Sequence, residues 1–210
     1  YEIVFGDWIS DVCSSDLFEV EGGLYDLAQI LPEGEARPVP LASPEGLMVL
    51  RHSAAHVMAA AIERLYPGVK LWKGPAIQDE RYGFYYDMDL GAASISQEDF
   101  PRIEAEMARI VAQAQPFVRR EVSREDAIER FRSQGDSYKL ALIEQIPEGE
   151  QITFYRNGSF EDLCRGPHLP HTGLMGEGFA VLATAGAYFM DDESNKMLTR
   201  VYGHAFPSRA

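Results

Sequence analysis

Cysteine is scarce in this sequence, and no apolar run is long enough to cross a membrane. The two cysteines, Cys13 and Cys164, lie far apart, which excludes the disulfide framework of small secreted proteins. Apolar stretches fall short of the roughly 20 residues that a membrane-spanning helix needs. The N-terminus also lacks the basic and then apolar pattern of a secretion signal. We therefore expect a cytoplasmic globular protein with no membrane contacts.

Positive charge is also in short supply. The 210 residues include 19 Lys and Arg against 33 Asp and Glu, for a formal net charge of −14 at pH 7. Proteins that coat nucleic acid bind the phosphate backbone through clustered Lys and Arg, so the charge argues against a general nucleic-acid coat. It leaves open an RNA that is bound mainly by other parts of a longer protein.

The predicted helices and strands follow one another without regular alternation. Ser43 and Pro44 are typical of a helix start and predict a helix from about Pro44 to Leu65, which the following Pro-Gly pair would end. Further helices are predicted at 96–115, 123–135 and 138–146, and strands at 69–73, 84–89, 117–122, 151–156, 179–182, 187–190 and 198–206. This order predicts an α+β fold, with a mostly antiparallel sheet and packed helices.

The first 42 residues form a different kind of segment. Short apolar runs between Pro and Gly clusters at 22–42 predict two or three short strands of a small module. Residues 1–20 match no helix or strand template, and we treat them as foreign or frayed. The chain does not begin with methionine, and we interpret it as a piece of a longer protein. We predict a partial small module at 1–42 and a main domain at 43–210.

Two short stretches carry residues that can support chemistry. His52 and His56 are four residues apart in the predicted helix, so both imidazoles point from one face. Cys164 and His168 have the same spacing around a Gly-Pro turn, which predicts a loop. Together these residues could bind a metal or activate a water molecule. Taken alone, each pair also has a structural explanation. The histidines could be helix residues that hydrogen-bond to backbone or water, and the cysteine could be a small buried apolar residue.

Seven motifs follow one another along the chain. They are Arg51-His-Ser-Ala-Ala-His56, Gly74-Pro75, Gly83-Phe-Tyr-Tyr-Asp87, Ser137-Tyr-Lys139, Asp162-Leu-Cys-Arg-Gly-Pro-His168, Ala185-Gly-Ala-Tyr188 and Asn195-Lys-Met-Leu198. In this order they resemble the N-terminal editing domain of the bacterial threonyl-tRNA synthetase family, a domain type shared more distantly with alanyl-tRNA synthetases. The resemblance covers about residues 22–206, and 22–42 resemble the tail of the TGS module that precedes that domain. No segment resembles the class II catalytic core.

The resemblance implies a hydrolytic function. A threonine-activating enzyme must reject serine, and the missing methyl group is worth only about 1–3 kcal/mol of discrimination. The implied remedy is a second pocket that hydrolyses the seryl ester on tRNA(Thr). The full-length enzyme would attach threonine to tRNA(Thr) with ATP and would be a homodimer through the missing core. The alternatives are a free-standing editing deacylase that acts in trans and a non-catalytic module that binds tRNA or zinc.

The resemblance also implies a role for each site residue. His52 would act as the base that orients the water, or would hold the terminal ribose hydroxyl, and Lys139 would offer positive charge to the tRNA end or the ester carbonyl. Asp162 would receive the serine ammonium group. The residues that complete the pocket and bind substrate would be His56, Tyr86, Cys164 and His168. Of these, Tyr86 would gate the size of the side chain.

Zinc remains an alternative at the same residues. The set of ligands would be His52, His56, Cys164 and His168. The related alanine-editing domains are zinc-dependent, whereas the threonine type is thought to hydrolyse its substrate without the ion. We therefore expect editing to require no cofactor and no metal. ATP and a further zinc ion would belong to the missing catalytic core.

Overall fold

The structure, a computed structural model, describes residues 17–207. The interpretation of residues 1–20 as foreign or frayed falls mostly on residues 1–16, which lie outside the described residues, as does Cys13. At residues 17–20 the chain is not frayed, because it forms a strand that pairs with two others. The helices are α1 Pro44–Leu65, α2 Phe100–Ala112, α3 Arg124–Ser133 and α4 Ser137–Gln145. The strands are β1 Leu17–Val20, β2 Gly23–Asp26, β3 Arg37–Pro38, β4 Lys70–Leu71, β5 Phe84–Asp89, β6 Val118–Val122, β7 Ile152–Asn157, β8 Phe160–Leu163, β9 Phe179–Tyr188 and β10 Met197–Ala205.

All strand pairs of the described residues are antiparallel, and they form three sheets. The orders are β2-β1-β3, β4-β5-β10-β9 and β6-β7-β8. The α+β class is confirmed, although the antiparallel strands are divided among three sheets. No helix within 17–207 combines the length and apolar character that crossing a bilayer requires.

Helix α1 runs through the centre of the molecule. It begins where the sequence predicts, because the Ser43 hydroxyl accepts the Gly46 N–H at 3.1 Å and proline occupies the first turn. Its middle, from Ala54 to Ile62, is buried on all sides, and it packs against α2, β5 and β10. A helix enclosed in this way holds its side chains in fixed positions, which suits a site that needs precise geometry.

Two strand predictions were wrong. β9 is a single strand, Phe179–Tyr188, where two separate strands were predicted, because it pairs with β10 along its whole length. Its alanines and glycine carry little strand propensity, so the pairing and not the local sequence determines it. β8 was missed, because the two-residue turn after Asn157 returns the chain directly onto β7. Asp162 therefore lies on a strand and not in the predicted loop.

The small N-terminal sheet, β1 to β3, shares the core of the rest of the molecule. Leu17 of β1 and Val39, just after β3, belong to the same buried cluster as Leu50 and Ala54 of α1. Both apolar side chains are almost fully shielded from solvent. The sheet is therefore packed onto the helix that carries the two candidate histidines.

Candidate functional site

The structure brings the seven predicted site residues together from five parts of the fold. The middle of α1 carries His52 and His56, and the loop after β8 carries Cys164 and His168. The other three lie on neighbouring elements, Tyr86 on β5, Lys139 in the first turn of α4 and Asp162 on β8.

One helix histidine, His52, and the loop after β8 meet at the Cys164 sulfur. Its Sγ atom lies 3.4 Å from His52 Nε2 and 3.2 Å from His168 Nε2. The two imidazole rings stack with their centroids 4.3 Å apart. The Gly166 N–H also donates to Sγ, at 3.2 Å. Both ring nitrogens thus lie within 3.4 Å of the same sulfur atom, although 112 residues separate His52 from Cys164.

The loop fixes the tautomer of His52. Its Nδ1 lies 3.1 Å from the Pro167 carbonyl oxygen. Because a carbonyl can only accept, Nδ1 carries the hydrogen, and Nε2 is left with a free lone pair. Burial lowers the pKa of His52 below its ordinary value, so the ring is neutral at pH 7. His52 therefore presents a basic nitrogen on the side of Cys164.

Ser53, which the sequence analysis did not single out, orients His168. Its Oγ accepts the Leu169 N–H at 3.0 Å and lies 3.1 Å from His168 Nδ1. A hydroxyl both donates and accepts, so this contact fixes the orientation of the His168 ring and not the position of its hydrogen. Burial lowers the pKa of His168 well below its usual value. The position of Ser53 between the two helix histidines was the only sequence signal for this role.

The Cys164 side chain is a neutral thiol. Burial raises its pKa to about 12, against a smaller opposing effect of the Gly166 N–H. At neutral pH the sulfur is therefore protonated. A thiol in this state is a poor nucleophile, so the arrangement favours water as the attacking group.

His56 lies beside the cluster but faces another way. The edges of Phe117, Phe160 and His168 surround its ring, with centroid distances of 5.4, 4.7 and 4.9 Å. Burial lowers the pKa of His56 to about 3. Its Nε2 has no hydrogen-bond partner among the side chains and backbone that the structure describes. His56 is thus a neutral, buried wall residue.

A buried ion pair forms the opposite side of the site. Lys139 Nζ lies 2.6 Å from Asp162 Oδ1 and also donates to the Trp72 carbonyl at 3.1 Å. Only 3% of the Lys139 side chain and 7% of the Asp162 side chain is exposed. The ammonium group is directed at the carboxylate and at the Trp72 carbonyl. The implied role of Lys139, to offer positive charge to the tRNA end or the ester carbonyl, stays a prediction.

Asp162 is ionised despite its burial. Burial by itself would raise the pKa of this carboxyl group, but the Lys139 ammonium outweighs it and holds the pKa below the ordinary value. The Tyr86 hydroxyl donates to Oδ2, and the Leu163 N–H donates to Oδ1 at 2.8 Å. A carboxylate has about four lone-pair sites, so one remains for a further donor.

The Gly74-Pro75 motif explains how Tyr86 is held. A Cβ atom on Gly74 would lie 2.1 Å from the Tyr86 ring, so only glycine allows the backbone to pass this close. Burial raises the pKa of Tyr86 well above its usual value, which keeps the hydroxyl a donor to Asp162. The loop thereby fixes the ring that the resemblance assigned to size selection.

The basic nitrogen and the carboxylate face a common cavity. The cavity has a volume of about 430 Å³ and is lined by, among others, His52, His56, Tyr86, Asp162 and Cys164. This is within the range of small-molecule sites. Lys139 and His168 do not line the cavity. Each contacts a residue that does, Asp162 and Cys164, respectively.

Comparison with known proteins identifies the family. The model described as "Threonyl and Alanyl tRNA synthetase second additional domain" matches residues 152–202. A threonine–tRNA ligase of Carboxydothermus hydrogenoformans is 48% identical over 192 residues, which is 91% of this chain. This chain is homologous to the second-additional-domain region of threonyl-tRNA synthetases. The resemblance stated from the motifs is thereby confirmed, and an editing role is consistent with the second additional domain.

Other relatives give the same result. Threonine–tRNA ligase 1 of Bacillus subtilis is 49% identical over 85% of this chain, and the ligase of Anoxybacillus flavithermus is 53% identical over 78%. The chain spans 30%, 27% and 25% of these three relatives, respectively. The similarity therefore concerns about a quarter to a third of the ligase and not the whole ligase.

The described part of the chain brings together three of the four predicted zinc ligands. Ligand atoms of His52, Cys164 and His168 lie within 4.8 Å of one another, whereas His56 is not part of this group because its ring packs among aromatic edges. The S···N separations of 3.4 and 3.2 Å are close to the about 3.5 Å between neighbouring ligands of tetrahedral zinc. These three residues fit the ion, and the predicted four-residue set does not.

Proposed function

We propose that this chain hydrolyses the seryl ester of mischarged tRNA(Thr), as the editing deacylase part of a threonyl-tRNA synthetase. One observation carries the proposal: a neutral imidazole with a fixed free lone pair and an ionised carboxylate face the same cavity. Ester hydrolysis needs a group that takes a proton from water, and an aminoacyl ester needs a counterion for its ammonium group. His52 and Asp162 supply these two functions.

Asp162 would bind the α-ammonium group of the seryl ester. Asp162 lines the cavity and has one unfilled lone-pair site, while Lys139 and Tyr86 hold the carboxylate in place. Lys139 keeps Asp162 ionised and oriented. The Tyr86 ring would then lie beside the serine side chain, where an added methyl group would meet a wall that Gly74 and Pro75 support.

His52 would act as general base. Its Nε2 takes a proton from a water molecule as the water oxygen forms a bond to the ester carbonyl carbon. When the tetrahedral intermediate collapses, the bond to the ribose oxygen breaks, and the proton on Nε2 passes to that oxygen. Serine and free tRNA leave, and His52 returns to its neutral form. Cys164 remains a thiol throughout.

The proposed reaction needs no metal. If zinc were bound, His52, Cys164 and His168 would hold it, and it would supply a water of lowered pKa. Binding would require loss of the Cys164 proton, which burial opposes.

The proposed partner is the acceptor end of tRNA(Thr). Lys73 and Arg165 line the cavity and add positive charge beside it, in a chain that is otherwise acidic. Threonine attachment with ATP, zinc in the catalytic core and homodimer formation are proposals for the longer protein. Three further statements stay predictions. They are the choice between action within such a ligase and action in trans, the domain division at residue 43, and the cytoplasmic location.

The test is a deacylation assay with the purified chain. We expect seryl-tRNA(Thr) to be hydrolysed at least about tenfold faster than threonyl-tRNA(Thr), because one methyl group in a tight pocket is worth about 1–3 kcal/mol. Release of the labelled amino acid is measured under single-turnover conditions. A chain that binds tRNA but leaves both esters intact would be a non-catalytic module, and the proposal would be rejected.

The same preparation tests the metal. Protein purified without a chelator is expected to contain far less than one zinc per chain, and its rate should not change when EDTA is added. Stoichiometric zinc together with loss of activity in EDTA would replace the metal-free mechanism with a metal-dependent one.

A further inference from the structure

A buried acid of the small N-terminal sheet contacts the site loop. Asp26 ends β2 and is only 3% exposed. Its Oδ2 accepts the His168 N–H and the Tyr155 hydroxyl, each at 2.8 Å. Its Oδ1 accepts the Ala28 N–H at 2.9 Å. The sequence separation between Asp26 and His168 is 142 residues, so this contact links the small N-terminal sheet to the loop after β8.

Asp26 completes a set of anchors on three successive loop residues. The Pro167 carbonyl accepts from His52, the His168 N–H donates to Asp26, and the Leu169 N–H donates to Ser53. The anchors come from α1 and from the small sheet. Because the His168 backbone carries the ring that contacts Cys164, the Asp26 bond sets how far this ring lies from the sulfur and from His52.

Burying an acid at position 26 carries a desolvation cost that an apolar side chain would not have. Asp26 adjoins a cluster in which Leu17 and Val39 are buried, and an ionised group in such surroundings loses its hydration. Bonds from neutral donors to a carboxylate are stronger than bonds between neutral groups. A carboxylate thus holds the loop more tightly than a neutral side chain.

We propose that Asp26 is a positioning residue of the editing site, so that the small sheet is part of the catalytic unit. The inference rests on the proposed function for its activity readout. Removing the carboxylate frees the His168 amide, lets the loop move relative to α1 and disturbs the contact of Cys164 with His52. Asp26 itself is not among the residues that line the cavity.

The experiment compares three variants of the full chain: Asp26→Ala, Asp26→Asn and, as the control, Glu19→Ala. Glu19 is an exposed acid of β1 in the same sheet. Two readouts are taken on each, namely single-turnover seryl-tRNA deacylation and hydrogen exchange of the His168 amide by NMR. Thermal unfolding establishes the folded fraction of each variant.

For Asp26→Ala we expect the deacylation rate per folded molecule to fall about a hundredfold, the effect of misplacing a catalytic group by about 1 Å. The concentration for half-saturation should change much less, and the His168 amide should exchange faster. Asp26→Asn keeps one acceptor oxygen, so its deacylation rate and amide exchange should lie between those of the parent and Asp26→Ala. Glu19→Ala should match the parent in both. If Asp26→Ala does not fold, the rate and amide exchange of Asp26→Asn decide the test instead.

A parental rate per folded molecule with a protected His168 amide in the Asp26 variants would overturn the inference. So would a lower melting temperature with an unchanged rate per folded molecule, because Asp26 would then be merely structural. If the parent chain shows no deacylation at all, the proposed function fails. The amide exchange then still decides whether Asp26 holds the loop.

Discussion

Replacing Lys139 by methionine is expected to lower the free energy of unfolding by about 3–5 kcal/mol, the usual cost of leaving one partner of a buried ion pair alone. The variant keeps the stem of the side chain but removes the ammonium that lies 2.6 Å from Asp162. Asp162 is then buried with only the Tyr86 hydroxyl and one backbone N–H. Urea unfolding at pH 7, followed by circular dichroism, measures the change.

Two control variants separate this effect from a general loss of packing. The pair of Lys196 and Asp89 has the same N–O distance of 2.6 Å, but the Lys196 side chain is 57% exposed, so Lys196→Met should cost no more than about 1 kcal/mol. Adding Asp162→Asn to Lys139→Met should restore part of the lost stability, because it removes the unpaired charge. A Lys139→Met variant as stable as the parent would show that the pair does not form.

Replacing His52 by glutamine is expected to slow seryl-tRNA deacylation by about 10²- to 10⁴-fold, the range typical of a lost general base. Glutamine can still donate to the Pro167 carbonyl but has no basic nitrogen to face the cavity. Stability should change little, because the loop contact is kept. The measurement is the single-turnover rate constant, taken with saturating protein.

The pH dependence shows whether the effect is that of a base. Burial lowers the pKa of His52, so the active neutral form should persist through neutral pH and be lost only as pH falls below the ordinary value of about 6.5. This acid limb should be absent from the His52→Gln profile. His171→Gln, at a histidine outside the cavity lining, is the matched control. A parental rate that already falls with decreasing pH while the pH is still above 6.5 would contradict the assignment. So would a His52→Gln rate equal to the parent's.

Local sequence signals were sufficient for the helices and for the two pairs of site residues. The Ser-Pro start and Pro-Gly end predicted α1 as Pro44–Leu65, because capping is decided by adjacent residues. The four-residue spacing of His52 and His56 then places both rings on one side of that helix. Their convergence with Cys164 followed from the resemblance, since spacing alone does not tell which loop meets which helix.

Long-range contacts were not predictable from the sequence. Nothing near Lys139 indicates that its ammonium is directed at Asp162, and nothing near Asp26 indicates that it binds the His168 amide. β8 and the unbroken β9 depend on partners further along the chain. His56 was grouped with the zinc ligands by spacing, but the aromatic rings around it decide its direction. In each case the deciding interaction joins residues that are distant in sequence.

The most direct measurement is where a seryl end binds. A non-hydrolysable amide analogue of seryl-adenosine is titrated into the isotope-labelled chain, and chemical shifts of histidine rings and backbone amides are followed. The account predicts saturable changes at His52, Cys164 and Leu163 that are lost in Asp162→Asn. Binding that leaves these signals unmoved, or that is unaffected by Asp162→Asn, would contradict the claim that this cavity holds the ester.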